Sequence, residues 1–242
     1  TRPRSPLADT HVAPRGPAAA LFAPASGPAI GPPHHPAGGR RAGVAAASGP
    51  EASGCVGAGT GAFAGPIKGG IGTASVVLAS GLTVGGLVAV NPGGSVVNPQ
   101  TGELWEHGLE LDREFGGQGQ RRVKLPPMPA LAPKSNTTIA VVATDAILVK
   151  REAQKIAQMA HDGLARAIRP IHTLFDGDTV FCLGTGKSAL PETDGFYRDQ
   201  HSEALNALGH AAADCLSRAI IQAVVSAQSL AETTAFRDLE DL

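Results

Sequence analysis

Aromatic side chains are scarce in this chain of 242 residues: seven Phe, one Trp and one Tyr amount to 4%. A core must therefore be assembled from Val, Ile, Leu and Ala, with the 31 glycines letting backbones approach closely. Cysteine is also sparse. Cys55, Cys182 and Cys215 are odd in number, widely spaced and free of any Cys-x-x-Cys pair, which argues against a disulfide framework or a structural zinc site and fits a reducing cytoplasm. An excess of one charge is missing too: 20 Lys and Arg face 21 Asp and Glu, for a net charge of −1. Neither a nucleic-acid footprint nor a polybasic membrane patch is indicated, so the expected partner is a small molecule or another copy of the chain. The longest apolar stretch, residues 73–91, is interrupted by Gly, Ser and Thr and by a Ser80-Gly81 turn, which excludes a membrane-spanning helix there.

What is present divides the chain. Residues 1–54 hold more than half of the 19 prolines, a single aromatic (Phe22) and no apolar period of 2 or 3.6, so they read as a disordered or irregular leader. Prolines interrupt any amphipathic helix near the start, and no targeting role is assigned. A glycine-dense run from Cys55 to Ser75 surrounds Lys68. Gly57-x-Gly59-x-x-Ala62 is a loose dinucleotide fingerprint with no strand before it and Pro66 where a helix should open, and Lys68 is followed by Gly69 where a P-loop needs Ser or Thr. Lys68 fits a solvated loop position or a place beside developing negative charge. Two strands, Thr73 to Leu78 and Leu82 to Asn91, flank the Ser80-Gly81 turn. Asn91 is either a turn residue before Pro92-Gly93 or an amide projecting into a site.

After a polar stretch and a Pro-rich connector from Leu125 through Pro133, Asn136-Thr137-Thr138 runs into a strand at Ile139 to Ala143. Ala153, Ile156, Ala157, Ala160, Leu164 and Ile168 predict a helix over 150–168, stopped by Pro170. Asp176-Gly177-Asp178 precedes a third strand, Thr179 to Leu183, and a final helix spans about 202–229 with Leu205, Leu208, Ala212, Leu216, Ala219 and Val224 as its core stripe. His161 and His172 read as surface or capping groups, and His210 and Cys215 as structural ones. Chemically, the Thr137 hydroxyl could attack the Asn136 carbonyl and leave a free Thr137 amine, which is a suitable general base for the same hydroxyl because α-amino groups titrate at about 7.7–8.0. An ordinary turn or a glycosylation acceptor explains the same three residues.

Five motifs occur in order: Lys68-Gly69-Gly70-Ile71-Gly72-Thr73-Ala74-Ser75, Leu87-Val88-Ala89-Val90-Asn91, Asn136-Thr137-Thr138 with Val142-Ala143-Thr144-Asp145-Ala146, His161-Asp162-Gly163-Leu164-Ala165-Arg166, and Asp176-Gly177-Asp178-Thr179-Val180-Phe181. Together, from Cys55 to the C-terminus, they resemble the self-processing L-aminopeptidase/D-esterase and β-aminopeptidase family, especially its actinobacterial members, and more distantly the nylon-oligomer hydrolases.

The resemblance implies an α/β protein with a four-layer α/β/β/α sandwich, here a hydrolase domain over 55–242 cut once into 1–136 and 137–242 chains. Residues 1–54 do not match the family's first segment, so the expectation is a sandwich lacking its amino-terminal part. Thr137 is implied to be the nucleophile for self-cleavage and for hydrolysis, Asn91 an oxyanion donor, Lys68 a neighbour of the nucleophile, and Asp176 and Asp178 partners of the Thr137 amine. No metal or organic cofactor is implied. The expected substrates are short peptides, amides or esters, and the expected assembly is a cytoplasmic homo-oligomer. Endo-hydrolysis of aminoalkanoate oligomers and a non-catalytic assembly subunit with an incomplete site are the alternatives.

Overall fold

A computed structural model of the chain describes residue 49 and residues 51–128, 136–191 and 199–242. Four strands make one sheet: β3 (Gly70–Val77), β4 (Thr83–Val90), β5 (Ile139–Ala146) and β6 (Thr179–Ser188), in the order β3-β4-β5-β6. Two-residue strands β1 (Phe63–Ala64) and β2 (Ile67–Lys68) pair with each other just ahead of β3. The β3–β4 hairpin turns at the expected Ser80-Gly81, where Gly81 adopts a left-handed φ of 84° and donates its N–H to the Leu78 carbonyl at 2.8 Å. β3 begins three residues before the expected Thr73. Gly70 and Gly72 are poor strand formers by propensity, but they are the residues that let a helix approach the sheet, and tertiary packing overrides propensity.

Helix α1 (Lys150–Ala167) carries the expected apolar stripe, with Ile156, Ala160 and Leu164 buried. Its N-terminus is closed by Glu152, whose Oε2 accepts from the Val149 N–H at 2.9 Å. It ends at Ile168 because Arg169 precedes Pro170 and is excluded from the α region. Helix α2 (Gln200–Ser226) is capped by Asp199, which accepts from the His201 and Ser202 N–H groups, and is buried along most of its length. It lies across β3 and β4 on one face of the sheet with α1 beside it. The approach is close: a Cβ on Gly72 would stand 1.9 Å from the Ala219 carbonyl oxygen.

The opposite face of the sheet is largely uncovered. Register places Thr73, Leu87, Val141 and Phe181 in one row across all four strands on that face. Leu87, Leu183 and Val77 are 44, 55 and 67% exposed there. The described residues thus supply two of the four layers implied by the resemblance, one helical and one sheet. Residues 1–48 and 50 of the expected leader, 129–133 of the expected connector and the following residues 134–135 lie outside the described residues. The folded part starts at least one residue before the expected boundary, because Gly54 exchanges backbone hydrogen bonds with Ile71 at 2.7 and 2.9 Å. No helix among the described residues is long and apolar enough to cross a membrane.

Strand direction is what positions the site. β3 and β4 are antiparallel, β4 and β5 are antiparallel, and β5 and β6 run parallel through the α1 crossover. The start of β3, the end of β4 and the starts of β5 and β6 therefore meet at one edge of the sheet. Lys68, Asn91, Thr137, Asp176 and Asp178 each sit within three residues of one of those four strand ends.

Candidate active site

Thr137 lies two residues before β5, is 7% exposed, and belongs to a peptide bond held at both ends. Its N–H donates to the Asn91 carbonyl at 2.8 Å, and the Asn136 carbonyl accepts from the Gly177 N–H at 3.3 Å. The Thr137 hydroxyl donates to that same Asn136 carbonyl oxygen in a very short contact. Nucleophile and electrophile of the expected self-cleavage are thus adjacent, with one backbone donor already on the oxygen that would become an oxyanion. The Asn136 side-chain Nδ2 and the Thr138 hydroxyl are buried without a hydrogen-bond partner among the described residues.

Asn91 is not a plain turn residue. It is 1% exposed at the end of β4, and its Oδ1 accepts from the Phe63 N–H at 3.0 Å, which fixes the side-chain amide in the interior beside the Thr137 backbone. Lys68 also departs from the solvated reading that its residue type suggested. It ends β2 at 2% exposure, donates from Nζ to the Thr60 carbonyl at 2.9 Å, and stands 5.4 Å from the centre of the Phe63 ring. Burial lowers its pKa below the usual 10.5, with Cys55 acting weakly in the opposite sense.

The two carboxylates divide their work. Asp176 bridges the loops: its Oδ1 accepts from Gly93 N–H at 3.0 Å and its Oδ2 from Thr173 N–H at 3.2 Å and the Thr173 hydroxyl. Asp178 faces the residue after Thr137, accepting the Thr138 N–H on Oδ1 at 2.7 Å. Its other oxygen accepts from His172 N–H at 3.1 Å and His172 Nδ1 at 2.8 Å. Between the two, Gly177 leaves room for the Thr137 side chain, since a Cβ there would lie 3.1 Å from Thr137 Oγ1. An open cleft of about 660 Å³ is lined by Asp176, Gly177, Asp178, Thr173, His161, His172 and Gln158.

Backbone and side-chain contacts link Asn91, Asp176 and Asp178 to the segment 136–138, and Lys68 lies at the same end of the sheet; three further residues join them that residue type alone did not single out. Gly177 looked like the middle of a turn; its backbone N–H and its missing side chain both serve the junction. His161 and His172 are part-exposed as expected of surface groups, but they also line the cleft against Asp178. No spacing signal pointed to them, because His172 reaches Asp178 through a left-handed backbone at φ 56°. Among the described residues no group of three or more His, Cys, Asp or Glu is arranged to hold a metal ion. His210 is an exposed partner of Asp214 at 3.3 Å, and Cys215 is buried with its thiol on the Val84 carbonyl at 3.6 Å. All three cysteines are free.

Comparison with known proteins decides the family, since the profile of peptidase family S58 matches residues 31–236. The chain belongs to peptidase family S58. Within this family it is 44% identical over 204 residues to an uncharacterized aminopeptidase of Mycobacterium tuberculosis, covering 81% of this chain and 59% of that protein. It is 33% identical over 96 residues to a 6-aminohexanoate-oligomer endohydrolase of a Kocuria species, covering 40% of this chain and 27% of that one. Among solved structures, a β-aminopeptidase from a Burkholderia species superposes with a TM-score of 0.57 at 31% identity, covering 83% of this chain and 54% of that one. The L-aminopeptidase D-Ala-esterase/amidase of Ochrobactrum anthropi, described as a variant of the Ntn-hydrolase fold, gives 0.53 at 28%, covering 77% and 48%. The S58 fold here is accordingly an α/β fold of the Ntn-hydrolase type. The chain spans less than two thirds of the length of these relatives.

Proposed function

We propose that this S58 member is an autoprocessed amino-terminal-nucleophile hydrolase that releases amino-terminal residues from short peptides, amides or esters. The observation that carries the reading is the Thr137 hydroxyl resting on the Asn136 carbonyl while Gly177 and Asn91 hold the two ends of that peptide. In the first stage Thr137 Oγ adds to the Asn136 carbonyl carbon, the C–N bond breaks as the Thr137 nitrogen takes a proton, and an ester links the two residues. Water hydrolyses the ester, giving the Asn136 carboxylate and a free Thr137 amine.

In the second stage that amine takes the proton from its own hydroxyl as Oγ attacks the substrate carbonyl. The Asn91 side-chain amide is the oxyanion donor. Asp176 and Asp178 stabilise the ammonium form of the amine, which raises its pKa, and the buried Lys68 cation offsets their combined charge so that the base is not silenced. The processed chains, 1–136 and 137–242, stay together and assemble as a homo-oligomer. Sedimentation or light scattering of the purified protein reads that assembly directly.

The 33% identity to a 6-aminohexanoate-oligomer endohydrolase favours one second reading, cleavage within linear aminoalkanoate oligomers. Steady-state hydrolysis of aminoacyl p-nitroanilides against linear amide oligomers separates the two. Turnover of the anilides by the cut protein and none by Thr137→Ala supports the aminopeptidase reading. A folded, cut protein inert on both substrate classes would be the non-catalytic subunit instead.

A further inference from the structure

His172 occupies a backbone conformation that residues with a side chain rarely adopt, φ 56°, and such strain persists where the surroundings hold it for a purpose. The conformation lets one residue place two donors, its N–H and Nδ1, on the same Asp178 oxygen at 3.1 and 2.8 Å. The other Asp178 oxygen takes the Thr138 N–H at 2.7 Å, so a single carboxylate spans from His172 to the residue next to the nucleophile. Its exposure is lopsided: the Asp178 side chain is 1% exposed and His172 40%. The outer imidazole reaches water, and the inner carboxylate reaches only protein.

A second imidazole completes the chain. His161 Nδ1 lies 3.3 Å from His172 Nε2, and the two rings meet edge to face with centroids 4.9 Å apart. Only one proton fits between those two nitrogens, so the pair carries either no charge or a single positive one. The charged and titratable groups facing it are His161 and Asp162 from α1, and His172, Asp176 and Asp178 from the segment before β6. Burial, and then the neighbouring imidazole, hold His161 below the usual imidazole range, while Asp178 and Asp162 oppose this. The Asp176 oxygens accept from Gly93 and Thr173, whereas His172 Nδ1 contacts Asp178, which makes Asp178 the carboxylate that the imidazoles act on.

We propose that His172, coupled to His161, is a positioning residue that controls the effective charge of Asp178 and thereby the protonation of the Thr137 amine. This rests on the reading of Thr137 as the nucleophile exposed by self-cleavage. When the imidazole pair takes a proton, it cancels the Asp178 charge, the ammonium form of the amine loses support, and the free base persists to lower pH. The coupling is reciprocal: an ammonium on Thr137 disfavours the charged imidazole by the same amount. The shift is on the order of half a pH unit, as for two unit charges about 10 Å apart at an effective dielectric constant of about 40.

The test is a pH profile, with intact mass reporting the cut. For the cut protein, kcat and KM for an aminoacyl p-nitroanilide are followed against pH in wild type and His172→Asn. Asparagine tolerates the left-handed backbone and can still donate to Asp178, so geometry is kept and the titrating charge is removed. At pH values low enough to protonate the imidazole pair, its kcat should fall about threefold below wild type with KM little changed, and at higher pH the two should agree. A cut, folded His172→Asn protein whose kcat profile superposes on wild type overturns the inference alone. A wild type that stays one chain by mass overturns the function reading and this inference with it.

Discussion

Adding one methyl group at Gly177 should slow self-cleavage without weakening the fold. The position is exposed and its φ lies outside the left-handed region, so alanine meets no backbone strain there. Its Cβ would stand 3.1 Å from Thr137 Oγ1 and 3.6 Å from Thr137 Cγ2, with the first of these about 0.3 Å short of ordinary contact. The nucleophile must retreat by about that distance. A misplacement of about 1 Å in a reacting pair costs on the order of a hundredfold in rate, so a third of it costs roughly three- to tenfold. Stability should move the other way, because Gly→Ala at a compatible position restricts the unfolded chain and contributes about 0.4–1 kcal/mol. For a domain of this size that is a Tm higher by about 1–3 °C. The assay is a time course of cleavage by intact mass on freshly purified Gly177→Ala, alongside its thermal melt. Wild-type cleavage kinetics in a folded variant would show that the Asp-Gly-Asp turn does not face the nucleophile.

Other consequences are independent of that turn. Asn91→Asp keeps the acceptor for the Phe63 N–H but puts a carboxylate where the oxyanion would form; anilide turnover by the cut protein should fall by about 10²–10³-fold with folding retained by circular dichroism, and a loss under tenfold would remove Asn91 from that role. Burial lowers the Lys68 pKa, so between its folded and unfolded values the unfolded chain binds the extra proton and stability rises with pH. Urea unfolding of wild type and Lys68→Met at about pH 7.5 and about pH 9.5 should show wild type gaining on the variant at the higher pH, and a gap that narrows contradicts it. Arg218, with a side chain 7% exposed, is held by both oxygens of Glu114 at 2.5 and 2.8 Å. Glu114→Ala strands that cation and should cost about 2–3 kcal/mol in chemical denaturation, whereas a cost below about 0.5 kcal/mol would mean that water replaces the carboxylate.

The parts of the fold that were legible from residue order are those governed by local periodicity. The α1 stripe at 156, 160 and 164 and the Ser80-Gly81 hairpin follow from spacing and turn chemistry, and the structure differs from expectation there only by a few residues at element ends. The proposal for Thr137 has a different basis: five ordered motifs outweigh a tripeptide that alone reads as a turn. Residue type left Lys68 open between a solvated and a site position because burial is a property of the folded neighbours, here the β1–β2 hairpin and the Phe63 ring, and nothing in a glycine-rich stretch announces it. The His172–Asp178 contact spans only six residues, but it depends on a backbone conformation that no periodicity encodes. Glu114 and Arg218 pair across 104 residues, which pattern along the chain cannot reveal.

Intact mass and amino-terminal sequencing of the purified wild-type protein, set beside Thr137→Ala, test the central claim most directly. The account predicts two associated chains whose second begins Thr137-Thr138-Ile139, and a single uncut chain for the variant. A pure, folded wild-type protein that remains one chain after prolonged incubation, indistinguishable from Thr137→Ala, would contradict it.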